Sequence, residues 1–446
     1  MDNNGGRSVK LRLDKYYDLY KYLTKESVLE IFKTQVYYIN FDNKDKNKLL
    51  KNKCGSNFRR KEYGLWIDYH LNSNKLLDIK SWLVSLNCKE NNKKKIDREF
   101  ISKNNFWDYN KSFEKVSDTF MNIINEYEDV KLLKKSAVYN EFSKIIISGK
   151  GDLEYRILRY MIGTFILEHK NYKEKLILNI SEDDSKTKIE DEIRKKLYKI
   201  IFIRNIPKLN REDLISVLGD KEITCIAKPQ FSGGLIHETV GHNGEGDIFY
   251  GEELIGKKVC SANITIIDYA KGIDIPNNYY IDGEGNLTCD IKLIDRGILS
   301  EVLCDEESST KPYEKIAGGV RSFEDEEFPL IRMRNTALLP GNEKESIDSD
   351  LNNGIILEEY CDGSHFINGV FFVEGKNVYV VKNKKIIGYL DRLKLCGKVY
   401  SFLRSITKVG SDFKWTRNVW CNKEGFKVPI ACGAPTIECK LNIYND

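Results

Sequence analysis

Two of the five histidines in this 446-residue chain stand in His237-Glu238-Thr239-Val240-Gly241-His242. Neutral imidazole is a good zinc ligand, and two of them leave positions on the ion open to water and substrate. A carboxylate directly after the first ligand, here Glu238, can face the attacking water without entering the ligand set. It can accept that water's proton as the water adds to a carbonyl, then hand the proton to the leaving amine. The chemistry these residue types suit is metal-assisted hydrolysis of a peptide bond. His237 and His242 are then the metal ligands and Glu238 the general base. The plainer alternative is a pair of core or surface histidines on a glycine-bordered helix.

The spacing makes a geometric demand. In the familiar His-Glu-x-x-His pattern the rings stack one turn apart on one helix face. At i and i+5 they are separated by about 140° around a regular helix. Both rings reach one ion only if the helix is deformed between them. Gly241 stands where a kink, a π-bulge or a helix end supplies that deformation. A catalytic zinc also takes a third protein ligand. His70, His169 and His365 carry no motif and read as surface or core histidines. A cysteine is the better candidate, and Cys421 sits between strand-like runs in RNVWCNKEGFKVPIACG. On chemistry alone Cys421, Cys432 and Cys439 are hard to separate.

The elements that must carry these residues change character near residue 205. Residues 1–205 are Lys-rich and helix-friendly, and residues 206–446 are rich in Gly and β-like runs. The spacing predicts helices over 15–34, 110–134 and 188–203, and a strand at 35–40. Strand-like runs at 138–148, 155–169 and 173–181, linked by turn signals, predict an antiparallel sheet. Past 205, ITCIAK, KVCSANITIIDYA, LTCDIKLIDRGILSEVLC, GVFFVEGKNVYVVKNKKIIGYL and VPIACGAPTIECKLNIY all favour strands. FSGGLIHETVGHNGEGD at 231–247 is the exception, a short helix candidate bounded by glycines. The expected class is α+β, with an N-terminal antiparallel sheet and helices over 1–205. A β-rich domain over 206–446 carries a short kinked metal-binding helix.

These segments resemble the TldD/PmbA metallopeptidase family, once described as modulators of DNA gyrase. FSGGLIHETVGHNGEGD is similar to its metal-binding segment, and IRMRNTALLPG at 331–341 to its Arg-Met-x-Asn-Thr-x-x-Leu-Pro-Gly stretch. ITKVGSD at 406–412 and CNKEGFKVPIACGAPTIECKLNI at 421–443 resemble its closing segments. The resemblance covers most of 206–446, while residues 1–110 align with nothing firmly. It implies a Zn2+ ion held by His237, His242 and Cys421, with Glu238 as the catalytic residue. The intact motif marks the catalytic, TldD-like kind of subunit. Such subunits dimerise, with a motif-less relative or with themselves. They cleave unfolded peptides, including leader segments of modified precursor peptides, bound as an added β-strand. EEYCDGSHFINGVFF at 358–372 departs from the family's Gly-rich stretch. The alternatives are a metal-dependent enzyme that tailors peptides without hydrolysing them, and a non-catalytic subunit of a peptidase complex.

Bulk properties narrow the classes. Hydrophobic residues make up 41% of the chain, enough for packed cores. Lys+Arg (71) nearly balance Asp+Glu (67), which speaks against nucleic acid as a partner. Basic runs at 46–53 and 89–97 read as solvated surface. No run of about 18 apolar residues predicts a membrane span, and the first 17 residues lack the apolar core of a signal peptide. Eleven cysteines without framework spacing then read as reduced thiols, which points to the cytoplasm. The oxyanion stabiliser is not identifiable: Arg332, Arg334 and several tyrosines are all candidates.

Overall fold

The structure is a computed structural model that describes residues 16–40, 48–62, 65–90, 96–101, 107–170, 172–181, 184–203, 205–219, 222–272, 275–322, 329–343 and 347–444. The start of the chain, residues 1–15, and parts of both basic runs lie outside the described residues. The chain is α+β. It divides into two compact units, and among the described residues the first ends at Asn205 and the second begins at Ile206.

The first unit is built on one sheet. Its elements are β1 (Ser27–Asn40), β2 (Lys48–Glu62), β3 (Leu65–Leu71), α1 (Leu76–Ser85), β4 (Arg98–Ile101), α2 (Tyr109–Ile124), β5 (Val130–Ser148), β6 (Asp152–His169), β7 (Tyr172–Ile180) and α3 (Lys186–Ile203). The strand order is β3-β2-β1-β5-β6-β4, with β7 also on β6. All pairings are antiparallel except β4 with β6. Phe113 and Phe120 of α2 and Ile193 and Leu197 of α3 share a core with Phe165 and Leu178 of the sheet. Ile79 and Leu83 of α1 pack with Leu29, Phe58 and Ile147 in a second core.

Two expected helices are shorter than their apolar spacing suggests. The helix expected over 15–34 is a single 3-10 turn at Asp18–Tyr22, and β1 begins at Ser27. The Ser27 hydroxyl donates to the Thr24 carbonyl (2.9 Å) and accepts from the Thr24 amide (2.8 Å), which closes a turn there. β1 is central in the sheet, so Val28, Leu29, Ile31 and Phe32 are buried on both faces. A strand buried on both faces has lost the alternation that would tell it from a helix. The helix expected over 110–134 ends at Ile124, and β5 starts at Val130.

The second unit holds α4 (Arg211–Leu218), β8 (Glu222–Ala227), α5 (Pro229–Ile236), β9 (Ile266–Tyr269), β10 (Ile291–Asp295), β11 (Asn335–Leu338), β12 (Gly354–Leu357), β13 (Glu359–His365), β14 (Val370–Lys382), β15 (Lys385–Lys398), α6 (Val399–Ser405), β16 (Lys414–Lys423), β17 (Phe426–Ala434) and β18 (Ile437–Ile443). One sheet runs β12-β8-β18-β15-β14-β13, and a further β12–β14 pairing closes its first five strands into a ring. β13 extends outward from β14 as an edge strand. A second sheet carries β10-β9-β11-β17-β16 in that order. Phe231 and Leu235 of α5 join Phe371, Leu395 and Phe402 in the unit's main core. The runs expected as strands at 258–270 and 287–304 are realised only as short pieces, β9, β10 and two-residue strands.

Candidate metal centre

The helix that carries the motif starts where sequence chemistry says it should, with Pro229 in its first turn. The Ser232 hydroxyl donates to the Pro435 carbonyl (2.6 Å) and ties α5 to the end of β17. After Ile236 the chain widens into a π turn, His237–Gly241. The His242 amide donates to the His237 carbonyl, the i to i+5 bond of a π-helix. That bond answers the demand of the spacing: it stacks residue i+5 over residue i. The two imidazole centroids lie 4.9 Å apart. Gly241 contributes space more than backbone freedom, because a Cβ there would overlap the Met333 sulfur.

The third group comes from β16. Ligand atoms of His237, His242 and Cys421 all lie within 4.8 Å of one another, and all three residues are buried. The Cys421 thiol is 3.4 Å from His242 Nε2. Cys432, on the adjacent β17, also abuts His237 but does not belong to the mutual group. Cys439 pairs across to Cys225 in β18–β8, inside the ring of strands. Geometry therefore separates three cysteines that chemistry alone does not.

A polar network orients this group. Glu245, fully buried, accepts from His242 Nδ1 (3.2 Å), from Lys423 Nζ (2.9 Å) and from the Met333 amide (3.1 Å). With Nδ1 committed to a carboxylate, Nε2 is the nitrogen turned toward Cys421, free to bind an ion once its proton leaves. Lys423 follows Cys421 by two residues in β16, so both side chains leave the same face of the strand. Lys423 also donates to Asp247 (2.9 Å) and to the Ile331 carbonyl (3.1 Å). Burial pushes the Cys421 thiol up, but His242 and His237 beside it hold it well below the usual thiol range. Burial pulls His242 down, yet Glu245 and Cys421 push it up to about 10. Burial likewise opposes the charge of Glu245, and His242 and Lys423 overcome it, holding its carboxyl below the usual carboxylate range. His237 Nδ1 is buried with no hydrogen-bond partner among the described residues. Two imidazoles, one of them with an unpartnered buried nitrogen, and a thiolate fit a zinc-like ion.

Glu238 is held by the edge strand. The Tyr360 hydroxyl of β13 donates to Glu238 Oε1 (3.0 Å), while Oε2 lies 3.8 Å from His242 Nε2. Gly363 lets β13 pass close, since a Cβ there would overlap Glu238 and the Tyr360 hydroxyl. His365 ends the same strand and stacks on His242, centroids 6.3 Å apart and planes 22° apart. Sequence alone reads His365 as a surface or core histidine without a motif, and the structure places it beside the grouped histidines. Burial, then the neighbouring His242, hold the His365 imidazole down at about 4. The two arginines considered as oxyanion stabilisers are engaged in the framework. Arg334 is fully buried against Asp268 (2.7 Å) and the Ala317 carbonyl (2.6 Å), and Arg332 donates to the carbonyls of Cys421 (2.7 Å) and Phe426 (3.1 Å).

Sequence reasoning missed Tyr360, His365, Glu245 and Lys423. The last two carried a signal: Glu245 stands three residues after His242, one helical turn, and Lys423 two after Cys421, one strand repeat. Tyr360 and His365 reach the site only through the fold of β13 onto α5, for which no spacing prepares the reader.

Such a grouping, a histidine pair on a distorted helix with a cysteine from a distant strand, is of a kind that suits a metallopeptidase. Residues 220–442 match the model described as the PmbA/TldA metallopeptidase C-terminal domain. The chain belongs to that family. It is 29% identical over 222 residues to a metalloprotease of Methanothermobacter thermautotrophicus, covering 48% of each chain. It is 29% identical over 225 residues to a zinc metalloprotease TldD homolog of Saccharolobus solfataricus, covering 49% of this chain and 50% of that one. The match spans about half the length of these curated relatives. The fold is similar to that of TldE from Thermococcus kodakarensis, with a TM-score of 0.69 at 13% identity over 96% of this chain and 99% of the other. No helix among the described residues is long and apolar enough to cross a membrane.

Proposed function

We propose that this protein is a zinc-dependent peptidase that hydrolyses unfolded peptides or the leader segments of modified precursor peptides. The observation that carries the reading is the close grouping of His237, His242 and Cys421 with a non-ligand carboxylate, Glu238, on the same π turn. Zinc bound by those three residues would polarise the scissile carbonyl and acidify the attacking water. The rest falls to the chain. Glu238 takes a proton from the water as its oxygen bonds to the carbonyl carbon, and passes it to the amide nitrogen as the C–N bond breaks. Tyr360 fixes the carboxylate for this task through the bond to Oε1. Glu245 and Lys423 keep His242 in the ligating tautomer.

The edge strand suggests how a peptide is held. β13 pairs with β14 along one side only among the described residues, so its other side can take an added strand. A substrate read through its main chain must be extended, which favours unfolded segments. A dimer, with a motif-less relative or with a second copy, is the expected working form. All eleven cysteines are free thiols, as suits a cytoplasmic protein. The test is to incubate the metal-loaded protein, alone and with a motif-less relative, with an unfolded peptide and weigh the products. Fragments that together gain one water support hydrolysis. A modified but uncut peptide would instead favour a tailoring enzyme, and an untouched one a non-catalytic subunit.

A further inference from the structure

The mechanism above leaves one polar side chain at the centre without a task. Both ring nitrogens of His365 are buried and neither has a hydrogen-bond partner among the described residues. The main chain of Glu238 comes near the ring, but not in hydrogen-bonding geometry. Buried polar atoms of this kind are rare in native proteins unless a ligand or water completes them. The ring is stacked on His242. Yet His365 is not among the residues whose ligand atoms lie within 4.8 Å of one another. It therefore stands beside the ligand group and not in it. It also sits on β13, the strand that places Tyr360 on Glu238 and whose second edge is unpaired among the described residues. The other candidates for stabilising charge are engaged elsewhere: Arg334 with Asp268, Arg332 with the carbonyls of Cys421 and Phe426, only its buried Nε lacking a partner among the described residues, and Tyr360 with Glu238.

We propose that His365 is a further catalytic residue, whose ring N–H donates to the scissile carbonyl oxygen as that oxygen takes on negative charge. A histidine supplies one such donor while its other nitrogen remains an acceptor. A donor fixed in place before the reaction and shielded from water is the kind that stabilises a developing oxyanion. The stack on His242 and the end of the β13–β14 ladder fix the ring's position. The segment 358–372, where this sequence departs from its family resemblance, thereby acquires a role.

The inference rests on the peptidase reading, and the test keeps the two apart. His365→Phe keeps a flat ring on His242 and removes the donor; His365→Gln keeps an N–H. Metal content should remain that of wild type in both variants, because His365 is not a ligand. For His365→Phe, kcat should fall about 10²–10³-fold with KM little changed, and His365→Gln should recover much of the loss. Affinity for a phosphinic peptide, whose charged oxygens mimic the tetrahedral state, should fall in parallel with kcat. Binding of the uncut peptide in a Glu238→Gln background should not. Loss of metal in His365→Phe would overturn the proposal by making the residue a ligand. Unchanged phosphinic-peptide affinity would overturn it by making the residue structural. That affinity needs no turnover, so it judges His365 even if the wild type cuts nothing, a result that would sink the peptidase reading alone.

Discussion

Glu245→Gln isolates the orienting network from the ligands. Two carboxylate oxygens receive three donors: Met333 N–H on Oε1, and His242 Nδ1 and Lys423 Nζ on Oε2. An amide has one acceptor oxygen and one NH2. Either the NH2 confronts the Met333 amide, or it confronts the imidazole and the ammonium together. At least one hydrogen bond to a charged group is lost, worth about 1.5–3 kcal/mol when such a bond is buried. Lys423 keeps Asp247 and the Ile331 carbonyl, so the loss stays near that range. For a unit the size of the C-terminal one, this corresponds to a fall of about 3–12 °C in the melting temperature of the metal-free protein. In either placement His242 Nδ1 loses its carboxylate partner and keeps at most a neutral amide oxygen, and loss of such an orienting partner costs about 10–100-fold in metal affinity. The assays are thermal unfolding in chelator and zinc titration against a competing chelator. Glu252→Gln is the control, since its Lys311 partner lies on the surface and the pair is worth little. A folded Glu245→Gln protein with wild-type metal affinity would refute the role given to this network.

Other outcomes follow from the same geometry. Cys421→Ser should weaken zinc binding, while Cys432→Ser and Cys439→Ser should not; equal loss in all three, measured by metal analysis, would mean the wrong thiol has been chosen. Metal must displace the proton that His242 holds below about 10, so zinc affinity should rise with pH, roughly tenfold per unit for each proton released. Calorimetry in buffers of different ionisation enthalpy should show at least one proton released near pH 7, and no buffer dependence would contradict the assignment. Light scattering on the chain alone and with a motif-less relative should show a dimer in at least one sample; a fully active monomer would contradict that expectation.

Much of the centre was legible because its parts are local. His237, Glu238 and His242 lie within six residues, and the mismatch between i+5 spacing and a regular helix called for a deformation. The structure supplies it as a π turn closed by His242 N–H to His237 C=O. The hairpin of β5 and β6 was legible because turn residues punctuate it. Residues 27–34 of β1 were read as helix because burial on both faces removes the alternation that reveals a strand, while 35–40 were read as the strand they form. His365 was dismissed because isolation in sequence says nothing about which strand a fold brings to the edge of a site. Tyr360 was hidden among 25 tyrosines for the same reason.

Glu238→Gln tests the central claim most directly. The change keeps size and the bond from Tyr360 but removes the base. Zinc content and peptide binding should match wild type, while cleavage of an unfolded peptide falls by at least about 10²–10⁴-fold. A variant that binds zinc and cuts as fast as wild type would contradict the account, because the carboxylate assigned to move the proton would then be idle.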